Sequence, residues 1–397
     1  MAYVEGRTVH DADAHIMETP ELLETYVEEK YRAAVRRFDV FRAIPRYEDK
    51  FAEVRLRQDD PAWRADDAKQ ILLRKNWDAL GSWRREDRPA ALDHLGFASQ
   101  LVFNTMLSGF LSNLEHGDDL DLAYASARAH NRAMVEFCAV DRRLLATGYV
   151  PLADPARAVL MADEAISFGC KALLIPSRCP KDHSPSHIAL DGVWARAQEA
   201  GLPVVFHVGG GGPLLSPAYF VNGLPPVPDF HGGAENFRSV DYMAIPYPPM
   251  QTLATLIIDR VLDRFPRLKF GVIEQGASWL PGWMRAMDSA HAAFYKNEER
   301  LQKMSLRPSE YVRRQVRVTP YPHEDTAWIV ANAGDEVCLF SSDFPHVEGG
   351  RNPMKRFADA LARTPDAARQ RFYCDNFIDL MGRGLPPDIR RTANAAA

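Results

Sequence analysis

Five side chains in this sequence have the types and neighbourhoods that a divalent metal ion requires. Asp13 and His15 sit in TVHDADAHIM (8–17), His207 in PVVFHVGG (203–210), Glu274 in LKFGVIEQG (268–276) and Asp343 in VCLFSSDFPH (337–346). Each lies near the end of a short apolar run. Asp13 and His15 are two residues apart, so on a strand both side chains point to one face. Imidazole nitrogen mixed with carboxylate oxygen suits Zn, or Mn, Fe or Co, with positions left for water or substrate. Asp343 follows the apolar VCLF, a costly place for a carboxylate without a partner. His207 precedes four glycines, Gly209 to Gly212, which allow close approach to the backbone.

A metal held there would lower the pKa of a bound water toward neutrality. Asp343 is then either a ligand or the base that takes the water's proton, and Glu274 is a second acid/base or a ligand, with room for a second metal. His346, three residues after Asp343, is placed to orient a ligand or touch substrate. Arg178, just beyond the run CKALLIPS (170–177), is placed to clamp a carboxylate through its guanidinium fork. Trp279, Phe206 and His231 complete the expected substrate-contacting set. Phe103, Tyr219, Phe220 and Phe230 add to an aromatic bias that points weakly to a planar organic acid. His323, in TPYPHED, is a comparable loop candidate, and the odd spacing of His10 from His15 directs it away from the metal.

These residues need a scaffold that brings many strand ends together. Eight runs read as strands: the four above with SQLVFNT (99–105), LLATGYVPL (144–152), CKALLIPS and QVRVTPY (315–321). Amphipathic stretches separate them, at 122–140, at 156–169 after the cap Asp154-Pro155, and at 193–201 before Pro203. Alternating strands and helices imply parallel pairing, and eight repeats predict a distorted (β/α)8 barrel rather than an open doubly wound sheet. The domain expected is a single unit over 1–385. Insertions at about 27–92 and 211–250 fall at the mouth where barrel strands end, and 386–397 reads as a disordered tail.

Net charge is −5, and the basic residues are scattered among acids and apolar residues, so no face for nucleic acid is expected. No apolar run reaches membrane-spanning length, and the first residues, MAYVEGRTVHD, lack a signal-peptide core. The five cysteines form no C-x-x-C pair, which fits reduced thiols and a cytoplasmic protein, with Cys170 and Cys338 buried in strands.

The sequence resembles the second amidohydrolase family, which includes the aminocarboxymuconate semialdehyde decarboxylase group. The resemblance runs from DADAHIMETPE to YCDNFIDLMG near Asn376, through FGCKALLIPS, LPVVFHVG, FPRLKFGVIEQGASWLPGWMRAMD and LFSSDFPHVEG. It implies a distorted (β/α)8 barrel with a metal pattern that falls on Asp13, His15, His207 and Asp343. This chain has Asp13 where the usual pattern has His, and Glu274-Gln275-Gly276 where the semialdehyde decarboxylases carry His-Gly-Gly. The implied activity is metal-dependent hydrolysis or non-oxidative decarboxylation of a small carboxylated compound. A dinuclear non-haem oxygenase on the same barrel is the alternative, and an inactive partner subunit a third. The resemblance further suggests a homodimer, or a hetero-oligomer with a paralogous subunit.

Overall fold

The computed structural model describes residues 2–37, 47–225 and 238–390. Seven strands pair in parallel and in chain order: β1 (His10–His15), β2 (Ser99–Phe103), β3 (Leu144–Tyr149), β4 (Ala172–Leu174), β5 (Val204–His207), β6 (Phe270–Ile273) and β7 (Val316–Val318). Every residue of every strand is buried, as expected for a parallel sheet covered on both faces. Seven of the expected runs therefore form strands, each shorter than its apolar run because pairing stops where the chain turns into a loop.

The eighth run behaves differently. Among the described residues 337–346 form no regular strand. Val318 and Cys338 make one isolated parallel bridge to β7, and Ala14 and Phe344 make another to β1. Between them, Leu339 donates to the Val318 carbonyl, Ala12 to that of Phe340 and His15 to that of Phe344. The segment thus touches both edges of the curled sheet. Asp343, at a left-handed φ of 53°, makes the pairing irregular though its amide still donates to the Asp13 carbonyl at 2.9 Å, and Pro345, which has no N–H to donate, ends it.

The helical expectations hold with small shifts. The stretch at 122–140 is the Leu120–Cys138 helix, and 156–169 is Pro155–Phe168. In the latter, Asp154 accepts from Ala156 and Arg157, and Gly169 closes the end at φ 105°. Residues 193–201 become Asp191–Ala200, closed by Gly201. The 27–92 insertion folds largely into short helices, including Glu29–Arg37, Tyr47–Asp59 and Arg88–Leu95. The first residues of the expected tail are ordered against the domain. Pro387–Ile389 makes a 3-10 turn, Ile389 is buried, and the Arg390 carbonyl lies 3.0 Å from His10 Nε2. Residues 391–397 lie outside the described residues. No helix among the described residues is long and apolar enough to cross a membrane.

Candidate metal centre

Asp13, His15, His207 and Glu274 bring one donor atom each to within 4.8 Å of one another, and all four are buried. A second group, His15, Glu274, Asp343 and His346, overlaps the first. The strands explain the convergence. Asp13 and His15 share a face of β1, His207 ends β5, Glu274 follows β6, and Asp343 lies on the segment that bridges back to β1. Glu274 and Asp343 both adopt φ 53°. Left-handed backbone at non-glycine residues is uncommon, and here it occurs at the two acids that turn into the cluster.

Hydrogen bonding fixes the tautomers of the two imidazoles. His15 Nδ1 lies 2.9 Å from the Asn104 carbonyl, and His207 Nδ1 lies 3.0 Å from its neighbour's carbonyl at Val208. A carbonyl only accepts, so each Nδ1 carries the proton. Burial and the neighbouring His346 hold the pKa of His15 down at about 3, so its ring is neutral and Nε2 presents a lone pair. That lone pair faces Asp13 Oδ1 at 3.1 Å and Asp343 Oδ1 at 3.5 Å. His207 Nε2 likewise faces Asp13 Oδ1 at 3.2 Å and Glu274 Oε2 at 3.3 Å. The His15 lone pair and the carboxylate oxygens it faces repel unless a cation sits among them. Asp13 Oδ2, His15 Nε2 and Asp343 Oδ2 are buried with no hydrogen bond among the described residues. This donor set fits a divalent metal ion.

The charge of Asp343 follows from the same surroundings. Burial raises Asp343 to about 6 against the opposing charge and hydrogen bond of His346.

His346 is buried and joins Asp343 to the loop after β2. Its Nδ1 lies 2.8 Å from Asp343 Oδ1, and its Nε2 lies 2.9 Å from the Thr105 hydroxyl. Thr105 spends its single proton on the Ile16 carbonyl at 2.8 Å, so it accepts from His346 Nε2. The 2.8 Å contact between His346 Nδ1 and Asp343 therefore contains a proton that one of the two holds.

Several supporting groups escaped the sequence reading. Asp11 is fully buried beneath the donors and accepts from Gln100 Nε2 (2.9 Å) and from the Ser342 hydroxyl (2.6 Å) and amide (2.8 Å). Burial, offset by those bonds, raises its pKa to about 7. It faces inward like Asp13, which the two-residue spacing already implied. Glu18 accepts from the amides of Thr105, Met106 and Leu107, tying the loop after β1 to the helix after β2. Glu324 accepts from Tyr321, Ala277 and Ser278 and does the same for the loops after β7 and β6. Thr319 Oγ1 accepts from the Glu274 amide at 2.8 Å.

The expected substrate contacts fare unevenly. Arg178 is half-buried over the glycine run, where a Cβ on Gly212 would meet its side chain at 2.7 Å. Its guanidinium has no hydrogen bond or ion pair among the described residues. Trp279 is half-buried, donates to the Gly276 carbonyl and meets Trp283 edge-on. Phe206 is a correction. It precedes His207 on β5, so its side chain takes the opposite face, fully buried and stacked on Phe270 beside Trp194 of the Asp191–Ala200 helix. It packs between sheet and helices and does not reach the mouth. His231 and Phe230 lie outside the described residues. His323 is exposed and stacks on Tyr321, while His10 bonds Ser99 and stacks on Phe377, away from the cluster. Among the described residues Glu274 makes no ion pair with Arg178 or Arg238, and its Oε2 lies 3.3 Å from His207 Nε2.

Comparison with known proteins matches this architecture. A profile described as amidohydrolase matches residues 11–382. No curated relative matches the chain. Among solved structures, an amidohydrolase from Mycobacterium avium subsp. paratuberculosis K-10 superposes with TM-score 0.72 at 23% identity, covering 96% of this chain and 100% of that one. 5-Carboxyvanillate decarboxylase from Novosphingobium aromaticivorans, with bound manganese and 3-methoxy-4-hydroxy-5-nitrobenzoic acid, gives 0.61 at 16% identity, with 95% and 97% covered. 2,6-Dihydroxybenzoate decarboxylase from Rhizobium gives 0.57 at 16% identity, with 95% and 99% covered.

Proposed function

We propose that this chain, which belongs to the amidohydrolase family, is a divalent-metal-dependent enzyme that removes CO2 non-oxidatively from a small carboxylated aromatic compound. Its fold is read as a distorted (β/α)8 barrel in which residues 337–344 stand in for the eighth strand. The observation that carries the proposal is the convergence of the Nε2 atoms of His15 and His207 on the buried carboxylates of Asp13, Glu274 and Asp343. The resemblance in fold to two aromatic-acid decarboxylases, one of them holding manganese, supports manganese and an aromatic acid.

Asp13, His15, His207, Glu274 and Asp343 would hold the metal. When bound, it would act as a Lewis acid on substrate oxygen. Arg178 is assigned to orient the substrate's anionic group through its fork of donors. As the carbon–carboxylate bond breaks, its electron pair stays on the ring carbon and CO2 leaves. That carbon then takes a proton, and the proton held between His346 Nδ1 and Asp343 Oδ1 is the one at hand. The burial of both groups keeps bulk water from competing for it.

Hydrolysis is the second reading. The observation that favours it is Glu274, an acid among the donors that could take a proton from attacking water. None of the structures named above is an oxygenase.

The deciding experiment incubates manganese-loaded protein with a panel of hydroxylated benzoic acids and a panel of amides and lactones, measuring CO2 and hydrolysis products. CO2 release that stops on chelation supports the proposal. Chelator-sensitive hydrolysis without CO2 replaces it with the hydrolase reading.

A further inference from the structure

Arg88 opens the Arg88–Leu95 helix in the long insertion between β1 and β2 and is completely buried. A guanidinium has five N–H donors, and interior cations are normally matched by carboxylates. Here Nη1 donates to the His15 carbonyl at 3.0 Å and to that of Gly81 at 3.3 Å. Nε and Nη2 have no hydrogen bond, and no carboxylate lies within ion-pair distance among the described residues. The group also lies 4.9 Å over the Phe344 ring. Gly81 fits against it closely, since a Cβ there would come within 2.5 Å of the Arg88 Cα. Burial lowers the Arg88 pKa only to about 10, so the group stays cationic at neutral pH.

The two contacts are specific. His15 belongs to the donor cluster, and Phe344 follows Asp343. The peptides of these residues already meet, because His15 N donates to the Phe344 carbonyl at 2.7 Å. Arg88 therefore touches both chain segments at the point where β1 and the closing segment set their donors side by side. Its positive charge also interacts with the Asp11 carboxylate, which is buried beneath the donors.

We propose that Arg88 is a positioning residue of the metal centre. By holding the His15 peptide against the Phe344 ring, it fixes the separation of the His15 and Asp343 donors, and it serves as a fixed internal countercharge to the carboxylates. This inference rests on the metal-centre reading above.

The test measures manganese affinity and the electron paramagnetic resonance spectrum of bound Mn(II) on folded protein. Wild type is compared with Arg88→Met, Arg88→Gln and Arg88→Lys. Leu256→Ala, a fully buried change in the Tyr247–Ile258 helix remote from the cluster, supplies a variant destabilised by packing alone. Removing a group that supports metal ligands typically costs about 10- to 100-fold in affinity. Arg88→Met and Arg88→Gln should weaken manganese by roughly tenfold or more with an altered spectrum. Arg88→Lys should recover part of the loss, and Leu256→Ala should bind as wild type. If Arg88→Met does not fold, the Gln and Lys variants carry the comparison. Folded Arg88 variants that bind manganese with wild-type affinity and spectrum, or lose no more than Leu256→Ala, would overturn the inference while leaving the metal centre intact. Wild-type protein that binds no manganese would overturn the metal reading and this inference with it.

Discussion

Replacing Glu115 with glutamine should make the protein more stable, by an amount that grows with pH. Glu115 ends the Leu107–Glu115 helix, is 1% exposed, and accepts from the Tyr149 hydroxyl at 2.7 Å and the Leu152 amide at 3.3 Å. Burial raises its carboxyl from 4.5 to about 8, against the opposing effects of those bonds and of the Arg178 charge. A raised carboxyl means that the folded chain keeps a proton the unfolded chain releases. Stability from this group is therefore undiminished below pH 4.5 and falls as pH rises toward 8. At roughly 1.4 kcal/mol per pH unit, the loss across that window is on the order of 4–5 kcal/mol. Glutamine keeps an acceptor for Tyr149 and cannot ionise. Urea denaturation of both proteins at pH 5, 6, 7 and 8 isolates the effect, because the other titrations cancel in the difference. The advantage of Glu115→Gln should be small at pH 5 and larger by roughly 4 kcal/mol at pH 8. A difference that stays constant with pH would refute the reasoning. It would mean that Glu115 is ionised in the folded protein and neutralises Arg178, which would then be unavailable to a substrate anion.

Three further outcomes follow from the same geometry. Thr105→Val leaves the His346 Nε2–H buried without its acceptor and should cost about 1–3 kcal/mol in urea denaturation, whereas Thr105→Ser should restore most of it. Phe206→Ala removes a ring from the sheet–helix layer and should cost roughly 3–5 kcal/mol, with metal content of the folded protein unchanged. Arg178→Gln should raise KM for a carboxylated substrate about tenfold or more, with a smaller change in kcat, in steady-state assays.

Much of the site was legible because its chemistry sits at the ends of apolar runs. Asp13, His15, His207, Glu274 and Asp343 each close such a run, and parallel strands in chain order carry all of those ends to one mouth. The part that failed has local causes. Residue type and place put Phe206 among the substrate contacts, whereas alternation with His207 assigns it to the other face. The apolar VCLF predicts an eighth strand, and the segment pairs with both sheet edges only through isolated bridges and single hydrogen bonds, because Asp343 is left-handed and Pro345 has no N–H. Arg88, Thr105, Glu18 and Glu324 were missed because their partners depend on contacts between loops from different strand ends. Glu18 meets Thr105 across 87 positions, and Thr105 meets His346 across 241. No period or short motif encodes such pairings. Asp11 is the exception, since its spacing from Asp13 was in plain view.

The central claim is that His15 and His207 present their Nε2 atoms to a metal ion shared with Asp13, Glu274 and Asp343. The most direct measurement is metal content by mass spectrometry of wild type and His207→Ala, purified without chelators. About one divalent ion per chain is expected in wild type, held by the mixed imidazole and carboxylate donors, and its loss is expected in the variant. No metal in wild type, or the same content in folded His207→Ala, would contradict it.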